Sequence, residues 1–473
     1  MTLDVAHIPK HESTHVDGGT DEIDSPLDIR ALGYAFYYGV AWDESQATGG
    51  YTRTGLSSLA AVGSSPPDSV IPIQAAMRRC VMNDAGVVQY YLNPFNSALK
   101  EDGTASDLTG GDGQVMVEIP KFYHRYSYSG TTHTHDISPY PLSGFTVHNA
   151  FVKNGVTVDY RYIAAYEGSL YDTSESKYVN GLYLPSSATY TISFADNGGA
   201  DDTITSDVLT HAFTNLEAGV DKIVVSGSTV NDGTYAIKSV TDTVITLETG
   251  SLAGTQANDQ CIIQVQRNWT ATTGDVLGSI SGKAPMTYGT RAEFRAAAKN
   301  RGTGWRQLDF DLASAIQLLY LVEYADWNSQ SMIGNGLTDW SSAWPAWNDY
   351  NPINFTGLTN ALGNATGNLS NGNGVVGSYM SYRGIENFFG HLWKWVDGIN
   401  INDRVPYVSN TDTDFADDTT TNYTSLAVTL ATSNEYVKTL EQISRNINNR
   451  IQDRQKQIQR ERLFDTAIPK RRQ

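Results

Sequence analysis

The stretch Gly110-Gly111-Asp112-Gly113-Gln114-Val115-Met116-Val117-Glu118-Ile119-Pro120-Lys121-Phe122-Tyr123 sets the reading of the fold. Glycine and aspartate open it. An apolar run follows, and Pro120 divides that run from an aromatic one extending to Tyr128. Short runs of this kind, separated by Gly, Asp and Pro, read as strands joined by loops. The runs at 34–42 and 160–166 have the same texture, so residues 34–185 are expected to be β-rich with much loop.

Moving outward, residues 186–266 change character. They hold no tryptophan, and only Lys222 and Lys238 are basic there, against ten acidic residues. Strand-like runs recur at 190–194, 222–226, 234–240, 243–248 and 260–265, with the turn signal Asn231-Asp232-Gly233 between two of them. The regular spacing predicts a small all-β, sandwich-like domain inserted into a larger one. Residues 284–433 carry the helices. Thr290 can cap a helix over 291–300, with Glu293 at the reciprocal position and Gly302 past the end. Asp309 or Asp311 can cap a second over 312–325, with an apolar stripe at Ala315, Leu318, Leu319 and Val322. The run 388–396 follows after loops. Residues 1–33 are apolar-poor, with Pro9, Gly18, Gly19 and Pro26, and read as an extended arm. Residues 434–473 hold ten basic and five acidic residues, with a helical stripe at Leu440, Ile443, Ile447, Ile451 and Ile458.

Composition removes several function classes. The 473 residues carry 33 Lys and Arg against 51 Asp and Glu, a formal charge of −18. A protein coating nucleic acid needs a basic face, as does a polybasic membrane binder, so neither partner is expected. Hydrophobic residues at 40% and aromatics at 11% suffice for real cores. Cys80 and Cys261 are the two cysteines, too few for a disulfide scaffold or a Cys-x-x-Cys zinc site. There is no run of 18 apolar residues, so no membrane insertion is expected. The first residues lack a basic segment followed by an apolar one, so no cleaved secretory signal is expected.

Several stretches resemble one known family. The opening 110–123 stretch is one. Others are Pro141-Leu142-Ser143-Gly144-Phe145 with His148, Ala150 and Phe151, and Tyr162-Ile163-Ala164-Ala165-Tyr166-Glu167-Gly168. The segment 290–306 follows, and then Tyr382-Arg383-Gly384-Ile385-Glu386-Asn387-Phe388-Phe389-Gly390, running into Trp393-Lys394-Trp395-Val396-Asp397-Gly398. Together they resemble bacteriophage and prophage tail proteins with a C-type-lectin-like domain of the formylglycine-enzyme-like branch. The resemblance covers roughly 34–185 and 267–433. His11-x-x-x-His15 followed by Gly18-Gly19-Thr20-Asp21 resembles the linker that begins many tail fibres. The sequence departs from the family in a long aromatic loop after Gly336, and in a charged helical tail where the last strands would stand.

The resemblance implies an α+β fold: a C-type-lectin-like domain (34–185 and 267–433) with an inserted small all-β domain (186–266), an extended N-terminal arm (1–33) and a C-terminal helix (434–473). It implies a non-enzymatic virion protein, a tail fibre or receptor-binding subunit made in the host bacterial cytoplasm. Its expected partners are a host cell-surface receptor, glycan or protein, and other virion structural proteins. Three-fold assembly is usual for such fibres, so a homotrimer is expected. An architectural adaptor or decoration subunit and a polysaccharide-cleaving tail enzyme are the alternatives. No cofactor is expected.

The aromatic segment weighs most among the candidate sites. Trp327, Trp340, Trp344, Trp347, Asn348 and Tyr350 stand among Asn, Ser, Gly and Pro, and Trp344-Pro345 and Asn351-Pro352 oppose helix. Large amphipathic rings with small polar neighbours suit a recognition surface; the alternative is a lid packed on the core. His133-Thr134-His135, read as lying in a loop between strands, is the metal candidate. His7, His11 and His15 recur every four residues, but Pro9 opposes a continuous helix. Trp347-Asn348-Asp349 matches one half of a lectin calcium site without its partner tripeptide. Asp201-Asp202 could face a cation or solvent. There is no nucleophile-elbow motif.

Overall fold

The computed structural model describes residues 36–46, 49–179, 190–207, 213, 216–266, 274–287, 289–334, 336, 355–369, 379–392, 394–427 and 429–430. The expected arm at 1–33 and tail helix at 434–473 lie outside the described residues. Strands dominate and helices are few.

Two five-stranded antiparallel sheets build the body. The first holds β1 (Tyr38–Asp43), β2 (Tyr51–Gly55), β7 (Tyr123–Ser129), β8 (Thr132–Ser138) and β9 (Thr146–Val147), ordered β2-β1-β8-β7-β9. The second holds β3 (Arg78–Met82), β4 (Val88–Asn93), β5 (Asn96–Lys100), β6 (Gln114–Pro120) and β12 (Tyr160–Ala164), ordered β12-β6-β3-β4-β5. A short hairpin of β10 (Val152–Lys153) and β11 (Val156–Thr157) precedes β12. The 110–123 stretch is the crossing between the sheets: β6 lies in one, β7 in the other, and Phe122 is buried between them. Val115, Val117 and Ile119 alternate onto the inner face and join the main core.

Among the described residues four α-helices accompany the sheets: α1 (Pro72–Ala75), α2 (Arg291–Asn300), α3 (Phe310–Tyr324) and α4 (Ser329–Ile333). The capping box of α2 forms as the spacing predicts. The Thr290 hydroxyl accepts from the Glu293 backbone, and the Glu293 carboxylate accepts from the Thr290 backbone. In α3 Asp309 is the cap, accepting from the Leu312 backbone at 2.9 Å, so the helix begins earlier than 312. Its buried residues surround it and are not confined to the expected stripe. The helix lies against β1 and β8 inside the main core, and a helix enclosed on all sides has no solvent face to keep polar. Buried Arg53 donates to the carbonyls of Val322 and Glu323, which the end of α3 leaves without helical partners. The described part of 388–396 forms bends and no regular element.

A small sheet carries the exit to residues 190–265. It is ordered β14-β13-β22, from β13 (Ser169–Asp172), β14 (Lys177–Val179) and β22 (Val276–Gly278). Between β14 and β22 the chain builds seven strands: β15 (Tyr190–Ala195), β16 (Thr203–Ser206), β17 (Lys222–Ser226), β18 (Gly233–Ala236), β19 (Ser239–Val240), β20 (Val244–Thr246) and β21 (Gln256–Val265). They lie in the order β18-β17-β21-β15-β16-β20-β19, with β15 and β21, the first and last of them in sequence, paired, Tyr190 opposite Cys261. Ile192, Phe194, Ile204, Ile223 and Ile245 form a separate core. Two body residues, Ala284 and Phe355, pack into it, and Lys283 pairs with Glu217 at 2.5 Å. Asp202, offered above as cation- or solvent-facing, is buried and accepts from the Asn197 and Leu252 backbones. Two small sheets complete the body: β23 (Gly367–Leu369), β24 (Tyr379–Tyr382) and β25 (Ile385–Glu386), then β26 (Ile399–Asn402), β27 (Val405–Val408) and β28 (Thr424–Ser425).

Candidate functional site

Trp340, Trp344, Trp347, Asn348 and Tyr350 fall in 337–354, outside the described residues. Both described ends of that segment rest on a base built from 355–364 and 382–391. At one end, Gly336 approaches Phe389 and Gly390, and a Cβ there would meet the Phe389 carbonyl at 3.2 Å. At the other, Thr356 bonds to Lys283 and Ile280, and the Gly357 backbone donates to Glu386 at 2.8 Å. Gly357 is required: its φ is +91°, and a Cβ would lie 1.9 Å from the Ser281 hydroxyl.

Three buried charged clusters fix this base. The first centres on Arg79, which β3 directs inward. Its guanidinium donates to the Gly384 carbonyl (2.7 Å), Ser97 (2.9 Å), Asn360 (3.2 Å) and the Thr359 hydroxyl (3.0 Å). The Thr359 hydroxyl in turn donates to Glu386 at 2.6 Å, which carries the counter-charge to the buried arginine. The second joins Arg383, at φ 50°, to buried Glu323 at 2.7 Å, with Tyr382 and Ser65 donating to the same carboxylate. Burial lowers the Arg383 pKa, but Glu323 outweighs it, so the guanidinium is held charged.

The third cluster brings two of the sequence motifs together. The Glu386 backbone bonds to the Ala165 carbonyl, and Glu167 meets both His391 Nδ1 and Lys394 Nζ, the latter at 2.6 Å. Burial pushes the Glu167 carboxyl up, yet His391 and Lys394 outweigh it and bring it down to about 2. His391 has a left-handed backbone, φ 58°, and its side chain is 2% exposed. Its Nε2 is buried without a hydrogen-bond partner among the described residues. Glu167 therefore orients the imidazole, and Nε2 is left able to take one further hydrogen bond. Gly390-His391 and Tyr166-Glu167 each lie in or beside the quoted motifs, but nothing in their spacing signals the pairing.

Trp327 is half-buried on the margin of the main core, edge-on to Trp42 at 5.6 Å. Its backbone N–H donates to the Tyr51 hydroxyl. It packs against the main core. His133 and His135 lie in strand β8, which corrects the loop placement; period-2 spacing turns both inward with Trp42 and Val40. His133 stacks on Trp42 at 5.3 Å, and its Nδ1 meets the Tyr126 hydroxyl. His135 Nδ1 lies 3.3 Å from His124 Nε2. Burial, and then His124 and His133, push the His135 imidazole down to about 3. Among the described residues no group of three His, Cys, Asp or Glu side chains could hold a metal. Burial raises both Cys80 and Cys261 to about 12, so neither is a ready thiolate, and they stand in separate sheets.

Comparison with protein-family models, curated proteins and solved structures finds no match.

Proposed function

We propose that the chain is a non-enzymatic phage virion protein, a tail fibre or receptor-binding subunit, that attaches to the host cell surface through a C-type-lectin-like body. The carrying observation is a base fixed by buried charge at both described ends of a tryptophan-rich stretch of sequence. Gly336 and Gly357 anchor its ends next to the Arg79–Thr359–Glu386 and Glu167–His391–Lys394 clusters. A rigid scaffold presenting a segment rich in aromatic and small polar residues suits recognition. The order of the sequence motifs supports the virion context, and the homotrimer belongs to the same reading.

Adsorption of the purified full-length protein to a panel of bacterial cells tests it. Replacing Trp340, Trp344 and Trp347 with Ala should abolish adsorption, since aromatic anchors at an interface are worth ~2 kcal/mol or more each. The melting temperature should stay nearly constant. A collapse of stability with adsorption surviving in the folded fraction would place the contacts elsewhere. Release of reducing sugar from cell-surface polysaccharide would favour the enzyme instead.

A further inference from the structure

Neighbouring strand residues serve opposite faces. Arg79 points inward beneath the segment base, so Arg78 stands on the outer face of the second sheet. The registers set Arg78 opposite Glu118, Glu118 opposite Tyr162, and Cys80 opposite Tyr91. Buried Glu118 accepts from the Tyr91 hydroxyl (3.0 Å), the Tyr162 hydroxyl (2.8 Å) and Arg78 Nε (3.2 Å). The Arg78 guanidinium lies 3.4 Å from the centre of the Tyr91 ring. Its side chain is 41% exposed, and the described residues bond only its Nε. Tyr91 and Tyr162 are half-buried, and Tyr160, two residues along the same face, is 48% exposed.

We propose that this outer face is a second binding site, taking an uncharged sugar unit of a surface glycan. One guanidinium and one carboxylate leave the face without net charge, so it favours neither an anion nor a cation. The rings offer flat apolar surface for the C–H face of a pyranose, and the terminal N–H groups of Arg78 can donate to its hydroxyls. Glu118 already fixes Tyr91, Tyr162 and Arg78, so little side-chain order remains to be lost on binding. The site rests on the surface-attachment reading. It lies on the sheet face opposite the segment base, so the two would engage separately and add by avidity.

The test exposes full-length protein to an array of defined neutral and acidic oligosaccharides. Arg78→Ala, Tyr162→Ala, Tyr160→Ala and the triple tryptophan variant run beside it. Neutral oligosaccharides should bind, and binding should fall about tenfold or more in Arg78→Ala and Tyr162→Ala. Tyr160 stands outside the Glu118 network, so its replacement leaves folding intact and should still weaken binding several-fold. The triple tryptophan variant should keep sugar binding. Absence of neutral-sugar binding overturns the site, as does binding unchanged in Arg78→Ala and Tyr160→Ala. Sugar binding unchanged in the outer-face variants, with wild-type protein adsorbing to cells, overturns this site and leaves the attachment reading standing. Wild-type protein that binds neither cells nor sugars overturns both.

Discussion

The body and the seven-stranded module bury polar groups in opposite ways. In the body, buried charges meet opposite charges from distant parts of the chain. Lys153 pairs with Asp309 and Asp311, Arg383 with Glu323, and Arg295 with Asp397. In the module, buried side chains accept backbone N–H groups from nearby loops. Asn231 accepts from Ala253 and Gly254, Asp221 from Glu217, and Asp259 from Thr229. The body is thus tied by long-range electrostatics whose disruption leaves an unpaired buried charge. The module is tied mainly by bonds among its own loops, with Lys283–Glu217 joining it to the body.

Among single substitutions, breaking a body ion pair should give the largest effect. Glu323→Ala leaves Arg383 with exposed Asp68, at 3.1 Å, as its remaining carboxylate partner, and about 3 kcal/mol of body stability should be lost. No tryptophan lies in 186–266, so tryptophan fluorescence during denaturation follows the body, while far-UV circular dichroism follows both regions. The fluorescence midpoint should fall while a residual β-type dichroic transition stays put. A single shared shift in both signals would erase the contrast.

Acid should single out the body next. Burial lowers the pKa of both His135 and His148, His135 to about 3. Above pH ~6.5 both are neutral whether the chain is folded or not. Below that value the unfolded chain takes up protons that the buried rings refuse. Stability should therefore fall as pH drops from about 6.5 toward 3, by about 1.4 kcal/mol per pH unit for each histidine. The fluorescence midpoint as a function of pH reads this directly, and His135→Gln should flatten the slope.

Asn231→Ala should act on the module alone. It removes the acceptor for two backbone donors, an expected cost of about 1–3 kcal/mol. The dichroic transition should shift and the fluorescence transition should hold. The smallest effect is expected from Thr290→Ala, about 1 kcal/mol, by loss of the α2 cap. Hydrogen exchange confined to the first turn of α2 would show it.

The parts legible in the sequence are those governed by local rules. Thr290 and Glu293 announce α2 because a capping box is read within four residues. The run 222–226 coincides with β17 because Ile223-Val224-Val225 is a short β-branched run closed by Ser226-Gly227. What tertiary packing decides is not written locally. Arg79 and Arg383 look like surface residues until their distant partners are placed around them. The α3 stripe appears one-sided, yet the sheets enclose the helix. His133-Thr134-His135 resembles a loop by its threonines, whereas pairing with β1 and β7 makes it a strand. For the candidate site, the motif stretches around Glu167 and His391 are visible separately. Their meeting is a matter of topology.

The adjacent arginines of β3 have a genetic consequence. Arg78 and Arg79 serve opposite faces, so losing one codon within 78–82 exchanges every side chain beyond it between core and surface. Loss of codon 78 would turn outward a guanidinium with three buried partners, Gly384, Ser97 and Thr359, and Val81 with it. An in-frame deletion there should leave no folded protein. The same lesion at exposed Asp102-Gly103 shortens a turn and should pass nearly unnoticed.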